Sequence, residues 1–120
     1  MNIGKLGKLG ENMVVSFLKK QKCNIVARNY QCRFGEIDII AETNEYILFV
    51  EVKTRTENSL VSGAEAVNHA KQKRIMLTAE HYLLTAESTL QPRFDVAEVT
   101  VSISDDGKNH YSLNYIKNAF

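Results

Sequence analysis

The sequence predicts a three-layer α/β/α domain of the α/β class, in which a central mixed sheet carries one helix on each face. Two long segments show helical spacing of apolar residues, and they are separated by shorter segments rich in β-branched residues. Residues 46–54 are apolar at both odd and even positions, which is typical of a central strand covered on both sides. A chain of 120 residues with 44% hydrophobic content can bury one core, so we expect residues 1–120 to form a single domain.

The first helix is predicted over about residues 4–21. Glycines interrupt its first half, and they indicate either an irregular start near Gly10 or close packing of the backbone on a neighbour. Glu11 is the lone acid on the predicted buried side. The residues spaced as one face of this helix are Leu6, Leu9, Met13 and Phe17.

Three strands are predicted next, over residues 23–30, 36–41 and 46–54. A turn at residues 33–35 joins the first two, and a polar loop of hairpin length joins the second and third. Because side chains alternate along a strand, one face of the third strand carries Ile47, Phe49, Glu51 and Lys53.

A second helix is predicted over about residues 62–86, with Ala64 at the start of its apolar arc. Lys71 lies inside that arc, one turn from Val67 and Ile75. Two further strands follow, over residues 93–103 after Pro92 and over residues 111–116 after a hairpin-type turn.

Composition excludes several classes of protein. The longest uninterrupted apolar stretches have four residues, which is far short of the roughly 20 needed to cross a bilayer. The N-terminus lacks the apolar segment of a secretory signal, so we expect a cytoplasmic protein without a membrane partner. Cys23 and Cys32 lack the spacing of a zinc site, and we expect both to be reduced and structural.

The net charge of +1 gives no strong support for nucleic-acid binding, but the charges are unevenly distributed. Residues 1–35 carry seven lysines and arginines against Glu11 alone, whereas residues 36–66 carry seven acids against Lys53 and Arg55. A basic surface beside an acidic pocket would suit a phosphodiester enzyme that holds a cation. Charge counting alone favours the alternative, a solvated helix face.

Asp38, Glu51 and Lys53 are the candidate catalytic group. Strands joined by a short loop are expected to be neighbours, so Asp38 and Glu51 should converge, and Mg²⁺ commonly takes one or two carboxylates. Lys53 lies two residues after Glu51, on the same face, where it could polarise a water or balance phosphate charge. The alternative is a surface carboxylate pair with Lys53 as salt-bridge partner, but burial of the strand makes unpaired charge costly there.

Other candidate residues have open alternatives. Glu11 could be a third acid ligand or a helix residue capped by a neighbouring side chain. Lys71 could contact a phosphate, although the sequence alone favours a packed stem with the amine in solvent. Arg55 could reach a phosphate or solvent. The three histidines show neither metal-ligand spacing nor a nucleophile partner, so we interpret them as surface or core residues.

Five runs of the sequence, in order, match one bacterial family. They are GEIDIIA, LFVEVKTR, AVNHAKQKRI, AEHYL and RFDVAEV, and the match extends from the helix at Gly10 and Glu11 to Val99. The combination resembles the YraN family of bacterial proteins. That family is similar to restriction-endonuclease-like nucleases of the PD-(D/E)xK type and to archaeal Holliday-junction resolvases. The proline of the motif is absent, since Ile37 precedes Asp38, which makes the signature less distinctive.

The resemblance implies a restriction-endonuclease-like fold with an αβββαβ core. It implies that Asp38 and Glu51 bind Mg²⁺ or Mn²⁺ and that Lys53 is the catalytic lysine. It also implies that Glu11 is the acidic residue contributed by the first helix to the catalytic group.

The resemblance suggests Lys71 as the basic residue of the second helix, and we expect Lys71, Arg55 and Arg74 to contact the substrate. The leading hypothesis is a metal-dependent endonuclease that hydrolyses DNA, including branched or structured DNA. The alternatives are a nucleic-acid-binding or partner-binding module that does not cleave, and a purely structural protein. Similarity to the resolvases also suggests a homodimer.

Overall fold

The computed structural model describes residues 3–57 and 67–120. A five-stranded sheet has the order β1-β2-β3-β4-β5, in which β3 and β4 are parallel and the other neighbours are antiparallel. This mixed sheet with its αβββαβ core confirms the predicted α/β class, and β5 extends one edge. The elements are α1 (Ile3–Lys20), β1 (Asn24–Cys32), β2 (Gly35–Glu42), β3 (Tyr46–Thr56), α2 (His69–Ala86), β4 (Gln91–Ile103) and β5 (Asn109–Ile116).

The alternation predicted for β3 decides which helix covers which face. Leu48 and Val50 pack in one cluster with Val14 and Leu18 of α1. Ile47 and Phe49 pack in the other cluster with Ile75 and Ala79 of α2. The even positions of β3 therefore face α1 and the odd positions face α2, so the sheet lies between two helical layers.

The parallel pairing of β3 with β4 requires a crossover, because parallel strands cannot be joined by a tight hairpin. The segment that contains α2 provides it and covers one face of the sheet. β4 begins at Gln91, so Pro92 lies inside the strand opposite Ile47 rather than in the preceding loop. A proline near the first residue of a strand is tolerated there.

Of the two explanations left open for the glycines of α1, an irregular start near Gly10 does not apply, because the helix begins at Ile3 and runs through Gly10. Close packing explains this glycine. A Cβ built on Gly10 would clash with the hydroxyl oxygen of Thr54 on β3. Leu9 is 40% exposed, so it does not belong to the buried face where it was predicted; Val14, Val15 and Leu18 form the centre of that face.

The described part of α2 begins later than predicted. Asn68 is its N-cap, and the side-chain oxygen of Asn68 accepts a hydrogen bond from the Lys71 N–H at 2.9 Å. The predicted start near residue 62 and the predicted core residue Ala64 lie outside the described residues. In the ranges given above, neither helix is long and apolar enough to cross a membrane.

Candidate active site

The site lies where two neighbouring strands separate. The ladder between β2 and β3 runs from Glu42 opposite Ile47 to Ile39 opposite Val50. Beyond that pair, β2 stays paired with β1 and β3 stays paired with β4. A gap therefore opens between β2 and β3, and the next residue on each strand is a carboxylate: Asp38 on one side and Glu51 on the other.

Asp38 bridges this gap with its side chain. Its Oδ2 accepts a hydrogen bond from the Val52 N–H at 2.8 Å. A regular strand would place Ile37 and Ile39 on one face, but they pack in different clusters on opposite faces of the sheet. The regular alternation of side chains is therefore interrupted at Asp38. The carboxylate thus replaces a backbone acceptor at the point where the ladder ends.

Glu51 is buried, and its carboxylate forms ion pairs with two lysines. The Nζ of Lys53 lies 3.2 Å from Glu51 Oε1, and the Nζ of Lys71 lies 2.7 Å from the same oxygen. The exposed fraction of Glu51 is 6%, so its charge needs these partners. Lys71 therefore points into the site from the first turn of α2, and the prediction that its amine reaches into solvent was wrong.

Burial and like charge disturb the protonation of these groups. Burial, and then repulsion from Glu51, raise the pKa of Asp38 to about 7 although the Val52 hydrogen bond opposes them. Burial and the neighbouring ammonium of Lys71 lower the pKa of Lys53. Burial is the largest influence on Lys71 and disfavours its charged form. The hydrogen bond to Glu51, the contact with Lys53 and the attraction of Glu51 and Asp38 together outweigh burial and raise the pKa.

Two further acids, Glu11 on α1 and Glu36 on β2, lie near Asp38. The side-chain amide of Asn29, on β1, faces Glu11 and Glu36. With its nitrogen assigned to the side that faces these acids, the amide donates to Glu11 Oε1 at 3.0 Å and to Glu36 Oε1 at 3.1 Å. Glu11 and Glu36 both add to the negative field that raises the pKa of Asp38. Glu11, on α1, is thus connected to the site through the Asn29 amide.

Asn29 and Glu36 are not among the residues that the sequence predicts for the site. Glu36 could have been found, since it lies two residues before Asp38 on the same strand. Asn29 gives no such signal, and its φ of 53° is a backbone state that asparagine tolerates better than most residues. Only the fold shows that this amide lies between two carboxylates.

A cavity of about 260 Å³ opens beside the carboxylates, between β2, β3 and α2. Of the two arginines predicted to contact substrate, Arg74 lines this cavity. Arg55 is half-buried further along β3, opposite Thr100 of β4, and is not among the described lining residues. The lining residues are Gly35, Glu36, Asp38, Glu51, Lys71, Arg74 and Ile75.

The donor set suits a hard cation held by few protein ligands. Among residues 3–57 and 67–120, no three His, Cys, Asp or Glu side chains are grouped closely enough to form a metal cluster by themselves. Mg²⁺ and similar ions do not need such a cluster, because they commonly bind one or two carboxylates and complete their shell with water and phosphate oxygens. Asp38 and Glu51 could provide those carboxylates. Burial, and then repulsion from Glu51, raise the pKa of Asp38, and a cation would relieve the repulsion.

Arg93 and Asp95, from the RFDVAEV run, belong to a buried network away from this gap. Arg93 donates two hydrogen bonds to the fully buried Asp95, at 2.9 and 2.8 Å. The Tyr115 hydroxyl donates to the same carboxylate at 2.6 Å, and the Asn118 N–H donates at 2.9 Å. This network ties β5 and the following C-terminal residues to β4, so we assign it a structural role.

The two cysteines carry no disulfide, as predicted. Cys23 lines a cavity of about 370 Å³ on the α1 side of the sheet, together with Tyr46, Arg93 and Tyr115. Although this cavity is larger than the one at Asp38, it contains none of the predicted catalytic residues. Burial raises the pKa of the Cys23 thiol, which therefore gives no sign of a reactive thiolate.

Comparison with known proteins places the chain in a family. Residues 10–99 match the model of the uncharacterised protein family UPF0102. The chain is 43% identical to the UPF0102 protein of Caldicellulosiruptor bescii over an alignment of 124 positions that covers both proteins completely. It is 35% identical over 117 residues to the UPF0102 protein of Nitrosomonas europaea, covering 98% of this chain and 94% of that protein. The chain therefore belongs to the family UPF0102, which is the YraN family that its motifs predict.

Proposed function

We propose that this protein is a metal-dependent endonuclease that hydrolyses phosphodiester bonds of DNA. The observation that carries the proposal is the convergence of Asp38, Glu51, Lys53 and Lys71 on one gap between strands. Opposed carboxylates beside two ammonium groups are the side chains that phosphodiester hydrolysis needs, because anionic substrate oxygens and an attacking water must both be held.

Each residue then has a chemical role. Asp38 and Glu51 would hold Mg²⁺ or Mn²⁺, which when bound supplies positive charge to the phosphate oxygens. The Lys53 Nζ orients a water whose oxygen forms a bond to phosphorus while the bond to the 3′ oxygen breaks. The attacking water releases a proton to solvent, and the departing 3′ oxygen takes up a proton. The products are a 5′-phosphate and a 3′-hydroxyl. Lys71 and Arg74 contact the phosphates that flank the broken bond.

The first test is metal binding, since it does not require the substrate to be known. A ligand that binds only the folded chain raises the free energy of unfolding. We expect Mg²⁺ or Mn²⁺ to stabilise the wild-type protein, and we expect the Asp38→Asn variant to lose this response. Asp105→Asn, which removes an exposed carboxylate in the turn after β4, is the matched control and should respond like wild type.

The second test is cleavage of linear, flapped and four-way DNAs with either metal. We expect cleavage by wild type and a loss of about 100-fold or more in the Lys53→Met variant, which should still bind metal. If wild type leaves every DNA uncut and neither metal changes its stability, the proposed function is wrong.

One observation favours a second candidate, a nucleic-acid-binding module that does not cleave. Lys53 and Lys71 both contact Glu51 Oε1, so this carboxylate is neutralised by the protein itself. Such a module would bind DNA in a salt-dependent manner, and neither chelator nor Asp38→Asn would weaken the binding. Binding that persists under both conditions, without cleavage, would select this candidate.

The remaining expectations follow from the proposed nuclease. DNA is the expected partner, in the cytoplasm, and a homodimer would bring two such sites to opposite strands. Sedimentation of the free protein and of its DNA complex would measure the number of subunits in each.

A further inference from the structure

The tip of the β1–β2 hairpin lies next to the proposed active site. A Cβ built on Gly35 would meet the Thr78 hydroxyl at 3.3 Å and the Arg74 Cβ at 3.8 Å, so the hairpin packs directly on α2. Gly35 and Arg74 both line the cavity at Asp38. The residues immediately before Gly35 therefore border the place where a phosphate would bind.

Aromatic side chains gather at this tip. The ring of His81, on α2, lies 6.3 Å from the ring of Phe34 and 6.3 Å from the ring of Tyr30. The Tyr30 hydroxyl also forms a hydrogen bond with His81 Nδ1 at 2.7 Å. Tyr82 connects Tyr30 to the buried Phe49 through edge-to-face contacts. His81 is thus held in position by rings that are anchored in the core.

The outer part of this group is exposed and positively charged. His81 and Arg33 are exposed, and the Arg33 guanidinium lies 4.8 Å from the centre of the Phe34 ring. Nucleic-acid bases that are not paired stack on aromatic rings and on arginine planes. Closing the hairpin onto α2 explains Tyr30 and Tyr82, but it does not require an exposed His81 or Arg33.

The spacing along α2 also fits a nucleic-acid strand. Arg74 and His81 are seven residues apart, which is about 10 Å along a helix. At about 3.4 Å of rise per nucleotide in a strand whose bases remain stacked, this is about three nucleotides. A strand with a phosphate at Asp38 and Arg74 could therefore present a nearby base to His81.

We propose that Arg33, Phe34 and His81 form a stacking platform for an unpaired base of the DNA strand whose phosphate lies at Asp38. This inference rests on the proposed function and names its substrate class as DNA with unpaired nucleotides within about three nucleotides of the scissile phosphate. A fully paired duplex keeps its bases stacked inside the helix and cannot use the platform.

The test compares two DNAs in the presence of EDTA, so that nothing is cleaved. One is a duplex with a five-nucleotide single-stranded flap that carries 2-aminopurine, and the other is the same duplex without the flap. Stacking on the platform should quench the 2-aminopurine fluorescence, and anisotropy gives both affinities. We expect wild type to prefer the flapped DNA and His81→Ala to bind it about 5- to 100-fold more weakly.

Two further variants show whether weaker binding by His81→Ala comes from a loss of stacking or from a loss of folding. His81→Phe keeps a ring but loses the hydrogen bond to Tyr30, so it should retain the preference and the quenching. Tyr111→Ala removes an exposed aromatic side chain on β5 and is the matched control, which should behave like wild type.

The outcomes are distinct. The inference is overturned if wild type binds both DNAs equally, or if His81→Ala and wild type quench alike. Metal-dependent stabilisation through Asp38 would still support the proposed function in that case. If wild type binds neither DNA, the platform is rejected, and the proposed function is judged by metal binding and by cleavage with metal present.

Discussion

Replacing Asp38 with asparagine should make the metal-free protein more stable at neutral pH while removing the proposed metal site. The pKa of Asp38 is raised to about 7, mainly by burial and by repulsion from Glu51. A carboxyl group whose pKa is higher in the folded chain binds its proton more tightly when folded. Stability is therefore greatest below the unfolded pKa near 4, and it falls as the pH rises through about 7.

The size of the stability difference between Asp38→Asn and wild type follows from the pKa values of Asp38 in the folded and unfolded chain. Raising the pKa from 3.8 to about 7 corresponds to about 4 kcal/mol of lost stability once Asp38 is ionised. Solvent at the rim of the cavity screens part of this, and asparagine makes a weaker hydrogen bond to the Val52 N–H. We therefore expect the advantage of Asp38→Asn over wild type to grow by about 2 kcal/mol between pH 4.5 and pH 8.

Urea unfolding of both proteins in EDTA, at several pH values across this range, measures the difference directly. Asp105→Asn controls for the removal of one negative charge from an exposed position. A difference between Asp38→Asn and wild type that stays constant with pH would refute the reasoning. So would a variant less stable than wild type at pH 8, because ionised Asp38 would then be stabilising.

Two further substitutions test the packing around the sheet, and urea unfolding measures both. Gly10→Ala should lower the free energy of unfolding by about 1–2 kcal/mol because the new methyl group meets β3. Gly7→Ala is the control: a Cβ at this position has nothing within 4 Å, so the variant should raise the free energy of unfolding by up to about 1 kcal/mol. Equal effects at the two glycines would refute close packing. Tyr115→Phe should lower the free energy of unfolding by about 1.5–3 kcal/mol because it removes a hydrogen bond to the buried Asp95. Tyr111 is exposed, so Tyr111→Phe should change the free energy of unfolding by less than about 0.5 kcal/mol. A Tyr115 variant as stable as wild type would contradict the role given to the network.

The sequence predicts those features that depend on local periodicity. Alternation along one strand is sufficient to put Glu51 and Lys53 on the same face, and their side chains lie 3.2 Å apart. A short loop between antiparallel strands is sufficient to make β2 and β3 neighbours, which brings Asp38 toward Glu51. The chemical roles of these residues stay predictions.

Features that depend on the meeting of distant segments were not predictable in this way. Lys71 reaches Glu51 because Asn68 fixes the first turn of α2 above β3, and helical periodicity does not specify where a lysine side chain ends. Asn29 connects two acids from a backbone state that strand patterns do not reveal. Burial of Asp95 likewise depends on Tyr115, twenty residues further along the chain.

The two carboxylates at the gap are not equivalent, and this difference bears on how the site could work. Both lysines contact Glu51, whereas Asp38 accepts a hydrogen bond from the neutral N–H of Val52. Asp38 therefore lacks a cationic partner among these lysines, and burial together with repulsion from the nearby acids raises its pKa. A bound cation would gain most from the ionised form of Asp38, and its binding would strengthen as the pH rises through about 7. Lys53 and Lys71 would then be released in part from Glu51, which would make their ammonium groups available to phosphate oxygens in the cavity.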